Sequence, residues 1–168
     1  HPNNHSVWYA AQVAAFAALT DRPEEMMLAR RRFKEMISAQ MEDSGGFTDE
    51  LKRTKPYIYT LFILEGYSVL AELASTPEDN LWTYEGTHGS LRKGWDFMLP
   101  YLKDKSAWSY PPDVMHYEHV PIQSPGLRLA ARAYDDAEMM AVWDSLDPRR
   151  ANAEIERNFP LREPLLWP

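Results

Sequence analysis

The sequence predicts an all-α fold, and three observations carry that prediction. Apolar residues recur three and four apart through most of the 168 residues, the period of a helix with one buried face. Runs alternating β-branched and polar residues, as half-buried strands do, are absent. Turn-forming clusters such as Thr20-Asp21-Arg22-Pro23 and Ser44-Gly45-Gly46 separate the periodic runs, so successive helices should lie antiparallel as hairpins. The length suits a single α-helical domain over residues 1–168 with a sizeable core.

The first helix is expected from about residue 5 to 20, with Val7, Trp8, Ala11, Ala14, Ala15, Ala18 and Leu19 at helical spacing and Asn4 as its N-cap. Pro23 suits a first helical position and opens a second helix to Met41, apolar at Met26, Met27, Ala29, Phe33, Met36 and Ile37. Pro56 opens a third, through Leu73, whose Ile58, Leu61, Phe62, Leu64, Val69 and Leu70 mark it as buried. After a loop at Ser75–Asn80, Ser90 caps a fourth helix through about Leu102, with Pro100 bending or ending it. Lys103 to Pro125 reads as a long irregular segment, of the kind that is either functional or disordered. Two short helices, near 126–134 and 136–145, precede a tail rich in Pro and Arg.

Composition narrows the function classes. A net charge of −7 argues against nucleic acid as a partner, and against a polyanion unless positive charge is gathered locally. Two such clusters exist, Arg30-Arg31-Arg32 and Lys52-Arg53 with Lys55; the first reads as a solvated helix face. No cysteine is present, which removes disulfides and thiolate chemistry. No uninterrupted apolar run approaches the ~18–20 residues of a membrane span. Aromatic residues make up 12% of the chain, many in polar contexts where they can stack on flat apolar faces such as sugar rings.

Two polar stretches stand at the mouths of predicted helices: Asn3-Asn4-His5, and Asp49 through Tyr59. Alone, the first is a cap and a surface histidine; alone, the second is a solvated charge run followed by two core tyrosines. Together they offer an amide, an imidazole, a guanidinium fork and a phenol, a set suited to proton abstraction beside a carboxylate. The C5 proton of a uronic acid is weakly acidic. Neutralising the adjoining carboxylate stabilises the anion formed as that proton leaves, and a phenol or imidazole can move the protons. Such chemistry calls for no metal, cofactor or nucleophile. His88, His116 and His119 lack a completing acidic or cysteine ligand in the sequence and read as loop histidines, while His1 reads as a cut point.

Asn3-Asn4-His5-Ser6-Val7-Trp8-Tyr9 resembles the Asn-Asn-His-x-x-Trp motif of alginate-lyase-like polysaccharide lyases. Gly46 to Thr54 followed by Tyr59 resembles their second motif, and Leu81 to Tyr84, Ser90 to Lys93 and Trp108 to Pro111 follow in the same order. The resemblance covers roughly residues 2–125 and departs at Ser6 and Ile58. It implies part of an incomplete (α/α) toroid, the C-terminal portion of a catalytic domain, with a further helical segment or partner chain completing the cleft. It implies β-elimination on an acidic polysaccharide, alginate or a glucuronan-like polyuronate, outside the cytoplasm (secreted or periplasmic). Asn4 and Arg53 would neutralise the carboxylate, with His5 assisting or serving as base for one C5 epimer. Tyr59 would be the acid/base, favoured over Tyr57 by the Pro-x-x-Tyr spacing. Tyr57, Trp8, Trp108, Tyr110 and Lys52 complete the candidate set as substrate-binding residues.

Two other classes compete: a carbohydrate-binding or scaffold toroid without catalysis, and a helical interaction module. The last requires that Asn4, His5, Arg53 and Tyr59 do not converge.

Overall fold

The central element of the fold is a helix that is buried on nearly every side. The computed structural model describes residues 2–160; the expectations for His1 and for the end of the tail lie outside the described residues. The helices are α1 (Asn4–Thr20), α2 (Pro23–Gln40), α3 (Thr48–Leu51), α4 (Pro56–Ala74), α5 (Leu91–Lys103), α6 (Pro125–Ala133), α7 (Ala137–Ser145) and α8 (Ala153–Asn158). Among the described residues the only extended pairings are two isolated bridges, Met41 with Phe47 and Ile122 with Asp147.

α4 buries 15 of its 19 residues, and α1, α2, α3, α5 and α6 all pack against it. It is long and apolar enough to cross a membrane by composition, which the sequence reading did not anticipate, but 78% of that stretch lies inside the fold. That burial marks a core helix. α1 approaches α4 closely because it buries a stripe of small residues, Ala10, Ala11, Ala14 and Ala17. The facing Gly66 completes the fit: a Cβ there would come within 3.1 Å of Val7 and 3.2 Å of Trp8. α1 with α2, and α6 with α7, form hairpins on either side. Phe33 and Phe47 pack on the Tyr67 ring at centroid distances of 5.2 and 5.7 Å, filling the space between α2, α4 and the α2–α3 turn.

The N-terminal turn differs from expectation by one residue. Asn3, extended at φ −130°, is the N-cap and accepts a bond from the His5 N–H at 3.2 Å. Asn4 is therefore the first helical residue, and its side chain turns inward. A polar chain fixes this turn: the buried Tyr67 hydroxyl donates to Gln40 Oε1 at 2.6 Å, and Gln40 Nε2 donates to the Asn3 carbonyl and to Ser6 Oγ.

The long segment between α5 and α6 is ordered by its contacts with α4. It contains two 3-10 turns, Lys105–Ala107 and Tyr117–His119. Buried Asp113 caps α4 from a distance, accepting from the N–H groups of Tyr57 at 2.8 Å and Ile58 at 3.0 Å. Pro56 opens α4 without a local side-chain cap, so this remote carboxylate meets the orphan donors of the first turn. Burial raises the Asp113 pKa, while the two backbone bonds and the nearby Lys55 and Lys105 oppose that shift. Arg30, expected in a solvated face, instead donates from Nε to the Ala74 carbonyl at the end of α4.

Candidate active site

A groove of about 520 Å³ opens where the start of α1 meets the α3–α4 turn. α1 contributes Asn4, His5, Trp8, Tyr9 and Gln12, which share one helical face; the turn and the first half of α4 contribute Arg53, Tyr59 and Phe62. The four residues predicted to carry chemistry thus surround one open space. His5 is exposed, Arg53 and Tyr59 are half-buried, and Asn4 is buried.

The group that organises them is Glu50, fully buried on α3. Its Oε1 accepts from the Asn4 backbone N–H at 2.7 Å and from Asn4 Nδ2 at 2.9 Å. Its Oε2 accepts from Arg53 Nη1 at 3.3 Å. With one N–H of Asn4 Nδ2 given to Glu50, the amide keeps a second N–H that can meet a ligand. The Arg53 guanidinium lies over the Tyr59 ring with Cζ 3.5 Å from the centroid, which fixes guanidinium and phenol relative to each other. The remaining guanidinium donors suit a carboxylate.

Trp8 forms the groove floor with Phe62. The two rings stack at 5.0 Å, and Trp8 Nε1 donates to the Phe62 carbonyl at 3.2 Å. Ile58 is buried in the core and does not face the groove.

Other expected substrate-binding residues lie elsewhere. Tyr57 is fully buried, its hydroxyl donating to the Tyr101 carbonyl at 2.9 Å, and burial drives its pKa far above the ordinary phenol range. One position earlier than Ile58 and two before Tyr59, it points into the core because residues two apart do not share a helical face. Trp108 and Tyr110 line a separate depression with Lys105, Ser106, Pro112 and Tyr117. Trp108 is buried there, edge-on to Tyr57 at 4.9 Å, and donates from Nε1 to the Pro111 carbonyl, so it anchors the long loop. Lys52 is exposed at the end of α3 and outside the groove lining.

Sequence reasoning missed two contributors. Glu50 was legible only as a member of a charge run, whereas its side chain points into the fold. α8 was not anticipated; Glu154, Arg157 and Asn158 on it, with Pro160, close one end of the groove. Ile155 and Phe159, four apart and fully buried, hold α8 in place, and Asn152 caps it. Glu154 pairs with buried Lys55, and that pairing holds its carboxyl below the usual range. Away from the groove, His116, Glu118 and His119 bring their donor atoms within 4.8 Å of one another, Glu118 being the acidic neighbour that the histidine spacing did not reveal.

Comparison with known proteins gives the family and the fold. A family model described as alginate lyase matches residues 1–108, which include Asn4, His5, Glu50, Arg53 and Tyr59. The crystal structure of an alginate lyase from Bacteroides ovatus superimposes with a TM-score of 0.73 at 26% identity, over 95% of this chain and 43% of that one. The chain therefore spans less than half the length of that protein. No curated protein matches it. The helical hairpins are of the all-α toroid type.

Proposed function

Because the chain belongs to the alginate lyase family, we propose that it supplies the catalytic groove of a polysaccharide lyase that cleaves a uronate polymer by β-elimination. The observation that carries this reading is the convergence of Asn4, His5, Arg53 and Tyr59 on one open groove. The C5 carboxylate of the sugar lies between the Asn4 amide and the Arg53 guanidinium. Both are pre-set by Glu50, so little reorganisation accompanies the build-up of charge in the transition state. The C5 proton passes to Tyr59 entering as phenolate, which then holds the proton that O4 takes; for the opposite C5 epimer it passes to the neutral imidazole of His5 while Tyr59 acts as the phenol acid. The electron pair left at C5 forms the C4–C5 double bond as the C4–O4 bond breaks, and O4 leaves with a proton from Tyr59. When proton and leaving group share a face of the ring, one phenol serves both transfers. Alginate is the first substrate class, with glucuronan-like polyuronates next, and such polymers are met outside the cytoplasm.

The direct test is the ultraviolet absorbance of the unsaturated product over a panel of polyuronates. Turnover by the protein, abolished in Tyr59→Phe, supports the reading. Binding of oligouronates without any product would make the chain a carbohydrate-binding toroid instead. Product formation that Tyr59→Phe leaves unchanged would remove Tyr59 from the mechanism.

A further inference from the structure

The chemistry proposed above uses one wall of the groove and its floor, and leaves α8 without a task. α8 carries an unusual arrangement for a surface helix of six residues. Its two anchors, Ile155 and Phe159, are fully buried, while Glu154 and Arg157 project into the groove from the same turn. Glu154 is held on both sides, by Lys55 and by Arg157, and also accepts from Asn158 Nδ2 at 3.3 Å. Lys55 in turn lies 5.4 Å from the Tyr59 ring centroid. The helix is thus tied by charge to the segment that bears Arg53 and Tyr59.

Three cations, Arg53, Lys55 and Arg157, stand here against two carboxylates, Glu50 and Glu154. The balance is positive in a chain whose net charge is −7. Buried Lys55 and half-buried Arg53 are each matched to a carboxylate, whereas Arg157 has a side chain 73% exposed with Glu154 on one of its nitrogens. Its guanidinium therefore offers further donors to the groove, in a fork that fits a carboxylate. The groove, at about 520 Å³, has room for more than one sugar ring, and Arg157 lines it together with Asn4, Arg53 and Tyr59.

We infer that Arg157 forms a second anionic subsite, binding the carboxylate of the uronate next to the one held by Asn4 and Arg53. The chain would then select for consecutive uronates over polymers in which a uronate stands between neutral sugars. This inference rests on the polyuronate reading of the groove, and it adds a specificity determinant outside the residues that move protons. Substrate binding there engages the exposed guanidinium of Arg157, and Lys55 keeps Glu154 paired if the Arg157–Glu154 contact is given up.

The test compares wild type with Arg157→Ala, which removes an exposed side chain from a helix whose core anchors remain. The quantity read is the ratio of kcat/KM on a homopolymeric polyuronate to kcat/KM on a polymer of isolated uronates. That ratio should fall roughly tenfold, the size of one exposed charge-assisted contact, with the loss in KM rather than kcat. Arg157→Lys should recover part of it. An unchanged ratio, or a loss confined to kcat, would overturn the subsite. If wild type turns over no uronate polymer, calorimetric titration with a di-uronate and with its carboxyl-reduced form replaces kinetics. A roughly tenfold weakening by Arg157→Ala for the acid alone would then support the subsite without the lyase. Equal affinities in the two proteins, or no binding by either, would overturn it.

Discussion

Replacing Glu50 with Gln perturbs the site without touching any group that meets substrate. The wild-type carboxylate accepts from Asn4 N, Asn4 Nδ2 and Arg53 Nη1 at 2.7, 2.9 and 3.3 Å. A glutamine amide has one oxygen. If that oxygen keeps the two Asn4 bonds, its NH₂ faces the guanidinium, donor against donor, and the pairing to Arg53 is lost. Losing one charge-assisted bond at a fully buried position costs about 1.5–3 kcal/mol. In a chain of 168 residues that lowers Tm by roughly 3–12 °C. The released Arg53 keeps only its stacking on Tyr59, and a displacement of about 1 Å is enough to lower kcat/KM on the order of 10²-fold. Thermal unfolding followed by circular dichroism reads the first effect, and initial rates of unsaturated product read the second. Because Asn4 depends on the same carboxylate, the rate losses in Glu50→Gln and Asn4→Ala should combine to less than their product. A Glu50→Gln protein that melts within a degree of wild type and turns over at full rate would refute Glu50 as the anchor of the site.

Three further outcomes are expected. Arg53→Ala should lower kcat by about 10²–10³-fold, read as loss of product absorbance at saturating substrate, because it removes a donor aimed at developing charge. Tyr57→Phe should cost about 1 kcal/mol through the lost bond to the Tyr101 carbonyl while kcat stays near wild type, which separates it from Tyr59→Phe in one assay. Glu65, fully buried beneath Ser124 and Gly126, has its pKa raised to about 7 by burial, against the opposing bonds from Ser124 and Gly126 and the charge of Arg150. The unfolded chain releases that proton near 4.5 while the folded chain holds it, so stability should fall by roughly 3 kcal/mol as pH rises from 4.5 to 7. Urea unfolding across that range should show the slope, and Glu65→Gln should flatten it.

How much was legible in the sequence depended on whether a residue's role was local. The period of apolar residues located α1, α2 and α4 to α7 because each buries one face or, in α4, nearly all of them. Asn4, His5, Arg53 and Tyr59 could be gathered because the two polar stretches offer a chemically coherent set and the resemblance to the lyase motifs picks these four from it; the groove brings them together in space. Position 50 was opaque for a physical reason. A glutamate in Asp49-Glu50 followed by Lys52-Arg53 is indistinguishable from a solvated charge run until the turn of α3 directs it inward toward Asn4, 46 residues away. Trp108 stood between two readings in the sequence, a sugar-stacking platform and an anchor for the long loop, and the packing favours the anchor. α4 needed a distant cap from Asp113, and Trp108 packs on Tyr57 to bring that loop in. α8 escaped notice because six residues give too little periodicity to register, and its hold on the fold comes from Ile155, Phe159 and the Lys55–Glu154 pair.

The most direct measurement is the crystal structure of the Tyr59→Phe protein with a bound oligouronate, a variant that should bind without turning over. One sugar should present its C5 carboxylate to the Asn4 amide and the Arg53 guanidinium at hydrogen-bonding distance, with C5 and the bridging O4 beside the ring at position 59. An oligouronate seated instead in the depression lined by Trp108 and Tyr110, or in the groove with its carboxylates turned to solvent, would contradict the assignment of these four side chains to one carboxylate-and-proton site.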